Sequence, residues 1–206
     1  FELADSRVDF VEKLFSKPRP SGTAVLTAEA TARDLFTRFA AIPQSEALYE
    51  KTLAAIIAQL TATHHFSLSA ADLQEVERIF HTFYASGYAV RYQPTYAELM
   101  LQTDGTGTNR SYLASEDSFR LVKDLEIRNL IVPIVGDFAG PEALRAIGDY
   151  VRGYGRTVST FYLSNVEQYL SRNGVENVFL CNVAQLPLDE TSTRLVAVGA
   201  ILWEAA

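Results

Sequence analysis

LIVPIVGDFAGPEAL, residues 130–144, settles whether the second half of the chain is expected to carry a sheet. An apolar run ends abruptly at Gly136-Asp137, and a helical pattern follows. Near-continuous apolar runs suit strands of a parallel sheet covered on both faces. On that reading LIVPIV (130–135) is a strand and PEALRAIGDYVRGYG (141–155) a helix with Pro141 in its first turn. TVSTFYL (157–163) is then the next strand, which completes a parallel βαβ unit. Pro133 is a misfit, because it lacks the N–H that a central strand needs.

Working outward, NVEQYLSRNG (165–174) reads as a short helix, VENVFLCNVAQL (175–186) as helix or strand, and TRLVAVGAI (193–201) as a final strand. Upstream, SEDSFRLVKDLEIRN (115–129) is helical, with Ser115 near its start, and TDGTGTNRSY (103–112) is a polar loop. Residues 94–101 are helical or irregular. Everything before Tyr92 is all-helical in pattern. A helix over 4–16 is ended by SKPRPSG, and another over 27–40 is capped by Thr27 without a full capping box. The strongest pattern is 45–62, with Ser45 as cap and Leu48, Leu53, Ile56, Ile57 and Leu60 as its stripe. A fourth helix covers 67–87, from a serine start to a glycine stop. The expected organisation is a helical segment, 1–92, acting as an insertion or lid, followed by an α/β sheet region, 93–206.

With 206 residues the chain can bury one sizeable core or two small ones. Its 48% hydrophobic and 21% charged residues describe an ordinary globular domain. Eighteen basic residues against 25 acidic ones give a formal net charge of −7, with no basic cluster of the kind nucleic-acid binders carry. An anionic membrane surface is disfavoured for the same reason, and no run approaches the roughly 18 apolar residues of a membrane span. One cysteine, Cys181, excludes an intrachain disulfide framework and suits a reducing, cytoplasmic setting. FELADSRVDFVEKLF opens with Phe1, Leu3, Val8, Val11, Leu14 and Phe15 already at helical spacing, so the chain is expected to start inside a longer protein.

Asp137 stands at the carboxyl end of the expected strand, where open sheets form ligand sites, and Gly136 permits close approach. Equally, Asp137 can cap the helix after it or satisfy loop amides. Ser164-Asn165 occupies the matching position after TVSTFYL, with Glu167 two residues on; Asn165 can instead be a helix cap. Phe161, Tyr162 and Tyr169 either line a planar ligand or pack a core. TDGTGTNR lacks the third glycine of a dinucleotide fingerprint and the lysine of a P-loop. It is a plain surface loop, or one that lends Asn109, Arg110 and Tyr112 to a pocket. His64-His65 and His81 do not make a zinc spacing, so no metal site is assigned. Cys181 reads as a small hydrophobe, and no G-x-S-x-G elbow is present.

Four strings, FELADSRVDFVEKLFSKPRP, TDGTGTNRSYLASEDSFR, NLIVPIVGDFAGPEALRAIGDYVR and FYLSNVEQYL, together resemble a family of uncharacterised bacterial proteins. Its longer members look like class I S-adenosylmethionine-dependent methyltransferases. The resemblance implies an α/β, Rossmann-like fold with a mostly parallel sheet flanked by helices, preceded here by the all-helical segment. It implies S-adenosylmethionine as cofactor, held by Gly136, Asp137 and Phe138 after the third strand and by Ser164 and Asn165 after the fourth. It also implies a missing N-terminal segment, bearing the cofactor loop, that packs on the sheet. Ser164-Asn165 departs from the Asp or Asn-Pro-Pro that many methyltransferases place at the fourth strand.

On that basis the chain is expected to be a methyltransferase-like protein acting on an unknown small molecule. Glu167 is the candidate catalytic residue, and Asn109, Arg110 and Tyr112 are the candidate substrate contacts. A non-enzymatic Rossmann-like binding or scaffold protein whose helices dock a partner is the rival; its signature is an exposed apolar patch on helices 45–62 or 67–87, coupled to a sheet edge with no cavity. A third class, a metal-dependent hydrolase, requires at least two of Asp104, Asp137 and Glu167 to converge.

Overall fold

The structure, a computed structural model, describes residues 1–20, 26–27, 29–90, 94–163 and 165–195, the last three by their backbone alone. Among them helix outweighs strand, 55% to 3%. Unit 1, Phe1–Ile131, contains α1 (Arg7–Phe15), α2 (Ala32–Ala40), α3 (Glu46–Ala58), α4 (Ala70–Ser86), α5 (Tyr96–Leu101) and α6 (Glu116–Ile127). Unit 2, Val132–Ala206, contains α7 (Ala143–Gly153), β1 (Thr160–Tyr162), α8 (Val166–Arg172), α9 (Glu176–Val183) and β2 (Thr193–Leu195). β1 and β2 run parallel, with Thr160 opposite Thr193 and Tyr162 opposite Leu195. An isolated antiparallel bridge joins Thr103 and Asn109. No described helix is long and apolar enough to cross a membrane.

The expected Rossmann-like parallel sheet is therefore not the fold, and the chain is predominantly helical. Its decisive segment fails as a strand. Between the bond from Leu130 N–H to the Leu125 carbonyl and that from Gly140 N–H to the Asp137 carbonyl, residues 131–136 make no backbone hydrogen bond among the described residues. Leu130, Val132 and Ile134 are more than half exposed, and Val135 is fully so. A β-prone run becomes a strand only beside a partner with free donors and acceptors, and among the described residues no backbone group bonds to residues 131–136. Residues 175–186 resolve as helix, α9. The expected strand over 193–201 is present at Thr193–Leu195, and residues 196–201 lie outside the described residues.

Local signals explain the helices of unit 1. The Ser6 hydroxyl accepts from Asp9 N–H at 3.1 Å and starts α1, and Ser16, with φ 51°, ends it. α2 begins not at Thr27 but at Thr31, where Thr31 and Asp34 form a complete capping box. Ser45 caps α3, whose C-terminal end widens into a π-helical turn, Gln59–Thr63. Ser69 and Asp72 box the start of α4, and Gly87, with φ 52°, ends it. The core is aromatic and aliphatic: Val11 and Phe15 of α1 pack with Leu35, Phe36 and Phe39 of α2 and with Leu113 and Phe119. Each fully buried Phe or Leu stabilises the fold by roughly 1.5–3 kcal/mol.

Two buried cations join elements of this unit. Arg7 donates to the carbonyls of Leu113 at 3.0 Å, Ala114 at 3.1 Å and Ala30, and its Nε lies 3.6 Å from Glu116. Lys17 Nζ donates to the Phe39 and Ala40 carbonyls and lies 5.1 Å from the centre of the Tyr88 ring. Burial pulls its pKa below the usual lysine value. It supplies charge where the dipole of α2 is negative.

Unit 2 is held by a small cluster of Leu144, Leu163, Leu170 and Phe179. Asn182, buried on α9, donates to the carbonyls of Phe138 at 3.1 Å and Gly140 at 2.8 Å. A Cβ on Gly136 would stand 2.4 Å from that of Ala143, so only glycine lets this loop lie against the start of α7. Asp189 accepts from the Thr191 hydroxyl and N–H and from Thr157, and these hydrogen bonds lower its pKa to about 2.

Candidate functional site

The residues expected to form a site fall in both units. Asn109, Arg110 and Tyr112 belong to unit 1, and Gly136, Asp137, Phe138, Asn165 and Glu167 to unit 2. Ser164 lies outside the described residues. The loop TDGTGTNR folds around its own aspartate. Asp104 accepts from Thr106 N–H at 2.9 Å, the Thr106 hydroxyl at 2.6 Å, Thr108 N–H at 3.0 Å and Arg110 Nε at 2.8 Å. The Thr106 hydroxyl and Arg110, first among these, hold its pKa far below the usual carboxylate range. Asn109 donates to the Met100 carbonyl at 2.8 Å and accepts from Ser111 N–H, and Tyr112 shares a 2.7 Å hydroxyl contact with Tyr96. All three substrate candidates are thus bonded within their own unit.

In unit 2, Asp137 Oδ1 accepts from Ala139 N–H at 2.9 Å, an aspartate turning its own loop. The cap position of α7 belongs to Glu142. Phe138 meets Phe179 edge-on at 6.2 Å. Asn165 stands at the cap position of α8 but makes no capping side-chain bond, and Glu167 lies in the first turn of that helix. Ala139, Leu163 and Val166, neighbours of these candidates, share one apolar cluster. Among the described residues no group of three or more His, Cys, Asp or Glu side chains is placed to hold a metal ion.

A surface that the site reading missed lies in unit 1. Arg78, Ile79, Thr82 and Phe83 of α4, with Val90, Pro94, Tyr96 and Leu99, line an open groove of about 470 Å³. Ile79 is 49% exposed and Leu99 40%. The floor is anchored, since Phe83 and Tyr96 lie edge-on to the buried Phe15 at 6.3 and 5.3 Å. The Tyr112 hydroxyl fixes the Tyr96 ring from the far side. Arg78 at the rim is paired with Glu75 one turn before it. The signal was present in the letters: Ile79 adds a second apolar residue beside Phe80, at the edge of the stripe that α4 buries.

A family model described as a domain of unknown function (DUF7790) matches residues 24–204. The chain belongs to that family. No curated protein matches it. The helical, sheet-poor architecture corrects the resemblance to class I methyltransferases and, with it, the expected S-adenosylmethionine site and methyl-transfer reading. The strand tips meant to hold the cofactor do not exist as a pair, because the first of the two strands is absent. Among the described residues the only sheet is the parallel pair β1 and β2, of 3 residues each, which offers no layer on which a preceding segment could pack.

Proposed function

We propose that this chain is a non-catalytic binding or scaffold domain, and that the α4–α5 groove receives an amphipathic helix from a partner protein. The observation that carries this reading is the groove itself: exposed Ile79 and Leu99 stand over a floor fixed by the core. Exposed apolar side chains gathered around a concave surface mark interaction sites, and a helix fills such a groove with side chains spaced three and four apart. Glu98 beside Leu99 and the net charge of −7 favour a helix with basic flanks. The helices of unit 1 supply a rigid frame, since three of them begin with complete capping boxes.

The test is a nuclear magnetic resonance titration with a synthetic Leu/Lys amphipathic helix. Shifts should cluster at Ile79, Phe83 and Leu99, and Ile79→Asp should weaken binding by about tenfold or more, equivalent to about 1.4 kcal/mol. Shifts scattered over the surface, or binding indifferent to Ile79→Asp in a folded variant, overturn the reading.

A further inference from the structure

A second concavity lies away from the groove, under the first four residues of the chain. Its walls are Phe1, Leu3, Phe10, Leu14, Ile56 and Phe80, contributed by the leading segment, α1, α3 and α4, and its volume is about 120 Å³. An apolar cavity of roughly 150 Å³ is enough to stay dry and take up benzene. This one, about 120 Å³ and open to solvent, admits at most a single aromatic ring and excludes anything as large as a nucleotide. Ala4 completes the apolar lining, and Lys13 and Thr52 are its polar members. We propose that it binds a small aromatic acid, with the ring among the apolar walls and the carboxylate on Lys13.

The charge arrangement allows this. Lys13 Nζ is paired with Asp9, but Asp9 also takes Arg19 and accepts from Asp5 N–H at 2.9 Å. Lys13 can therefore turn to a ligand anion while the nearly buried Asp9 keeps a cationic partner, which avoids the cost of stranding a buried charge. The leading segment is held as a wall by Glu2, whose Oε2 lies 2.7 Å from both Gln59 Nε2 and His64 Nε2.

Titrating the full chain with benzoate and with toluene, followed through the methyl resonances of Leu3, Leu14 and Ile56, tests the proposal. Both probes should saturate, benzoate should bind several-fold more tightly, and Lys13→Met should remove that advantage while toluene binding stays. Ile56→Trp should fill the space and abolish both; Leu14→Phe, a smaller change, serves if that variant does not fold. Absence of saturable shifts at these methyls in the folded chain overturns the site, and equal affinity for the two probes overturns the acid. Ile79→Asp, which disables the groove, should leave benzoate binding unchanged, so the two readings fail separately.

Discussion

Lys17 Nζ lies 3.0 Å from the carbonyl oxygen of Phe39, so an ammonium group buried in unit 1 closes the C-terminal end of α2. Replacing it with methionine keeps most of the packing volume and removes the charged donor; the Phe39 carbonyl keeps the Ile42 N–H at 3.1 Å, and the Ala40 carbonyl loses the donor that Lys17 gave it. A hydrogen bond from a charged donor contributes about 1.5–3 kcal/mol. Lys17→Met should lower the unfolding free energy by that amount in urea titrations, with an unchanged m-value.

Arg7 should matter more. Arg7→Ala removes the donor shared by three carbonyls from two separate segments and leaves Glu116 facing the same interior. Breaking a buried charged pair by deleting one member costs about 3–5 kcal/mol. The expected outcome is a loss of this size by chemical denaturation, enough to populate unfolded chain at ordinary temperature.

The Glu2 contacts give a pH signature. The His64 hydrogen bond, aided by Gln59, depresses the Glu2 pKa despite some desolvation. A carboxylate depressed in the folded state stabilises above its unfolded pKa, about 4.3, and loses that contribution as pH falls through the folded value. Stability should thus decline below about pH 4. Glu2→Gln should make that decline shallower in acid titrations; an identical profile would show that other carboxylates account for it.

Gly136 and Ala143 offer a steric test that needs no ligand. Gly136→Ala brings two Cβ atoms to 2.4 Å and should destabilise unit 2 by about 1–3 kcal/mol. Ala143→Gly removes the opposing methyl at about 1 kcal/mol. The double variant should be more stable than the sum of the two losses implies, a coupling read from a thermal double-mutant cycle.

Asn182 holds residues 138 and 140 to α9. Asn182→Ala should cost about 1–3 kcal/mol and speed amide exchange at Ala139 and Gly140. If exchange there is unaffected, the loop is held by the packing of Phe138 on Phe179 instead.

The helices were legible because their signals are local. Ser45 and Ser115 each cap the helix whose start they mark, α4 is capped by Ser69 rather than by the serine expected to start it at 67, and apolar spacing supplied the rest. The misplaced start of α2 was also readable, since Thr31 and Asp34 spell a capping box that Thr27 lacks. LIVPIV misled for a non-local reason: its composition suits a strand, but pairing depends on what lies alongside, and periodicity is silent about that. The buried roles of Arg7 and Asn182 were illegible for a similar reason. Each depends on carbonyls tens of residues or more away, and no spacing rule links Arg7 to Leu113.

The uncovered run at 130–135 has a practical consequence for handling the molecule. It is an uncharged, β-branched tape presented to solvent, the kind of segment through which copies stack into fibrils, and Pro133 is the residue in it that interrupts a continuous ladder. Pro133 thus sets this run against self-association, beside the chain's net charge of −7.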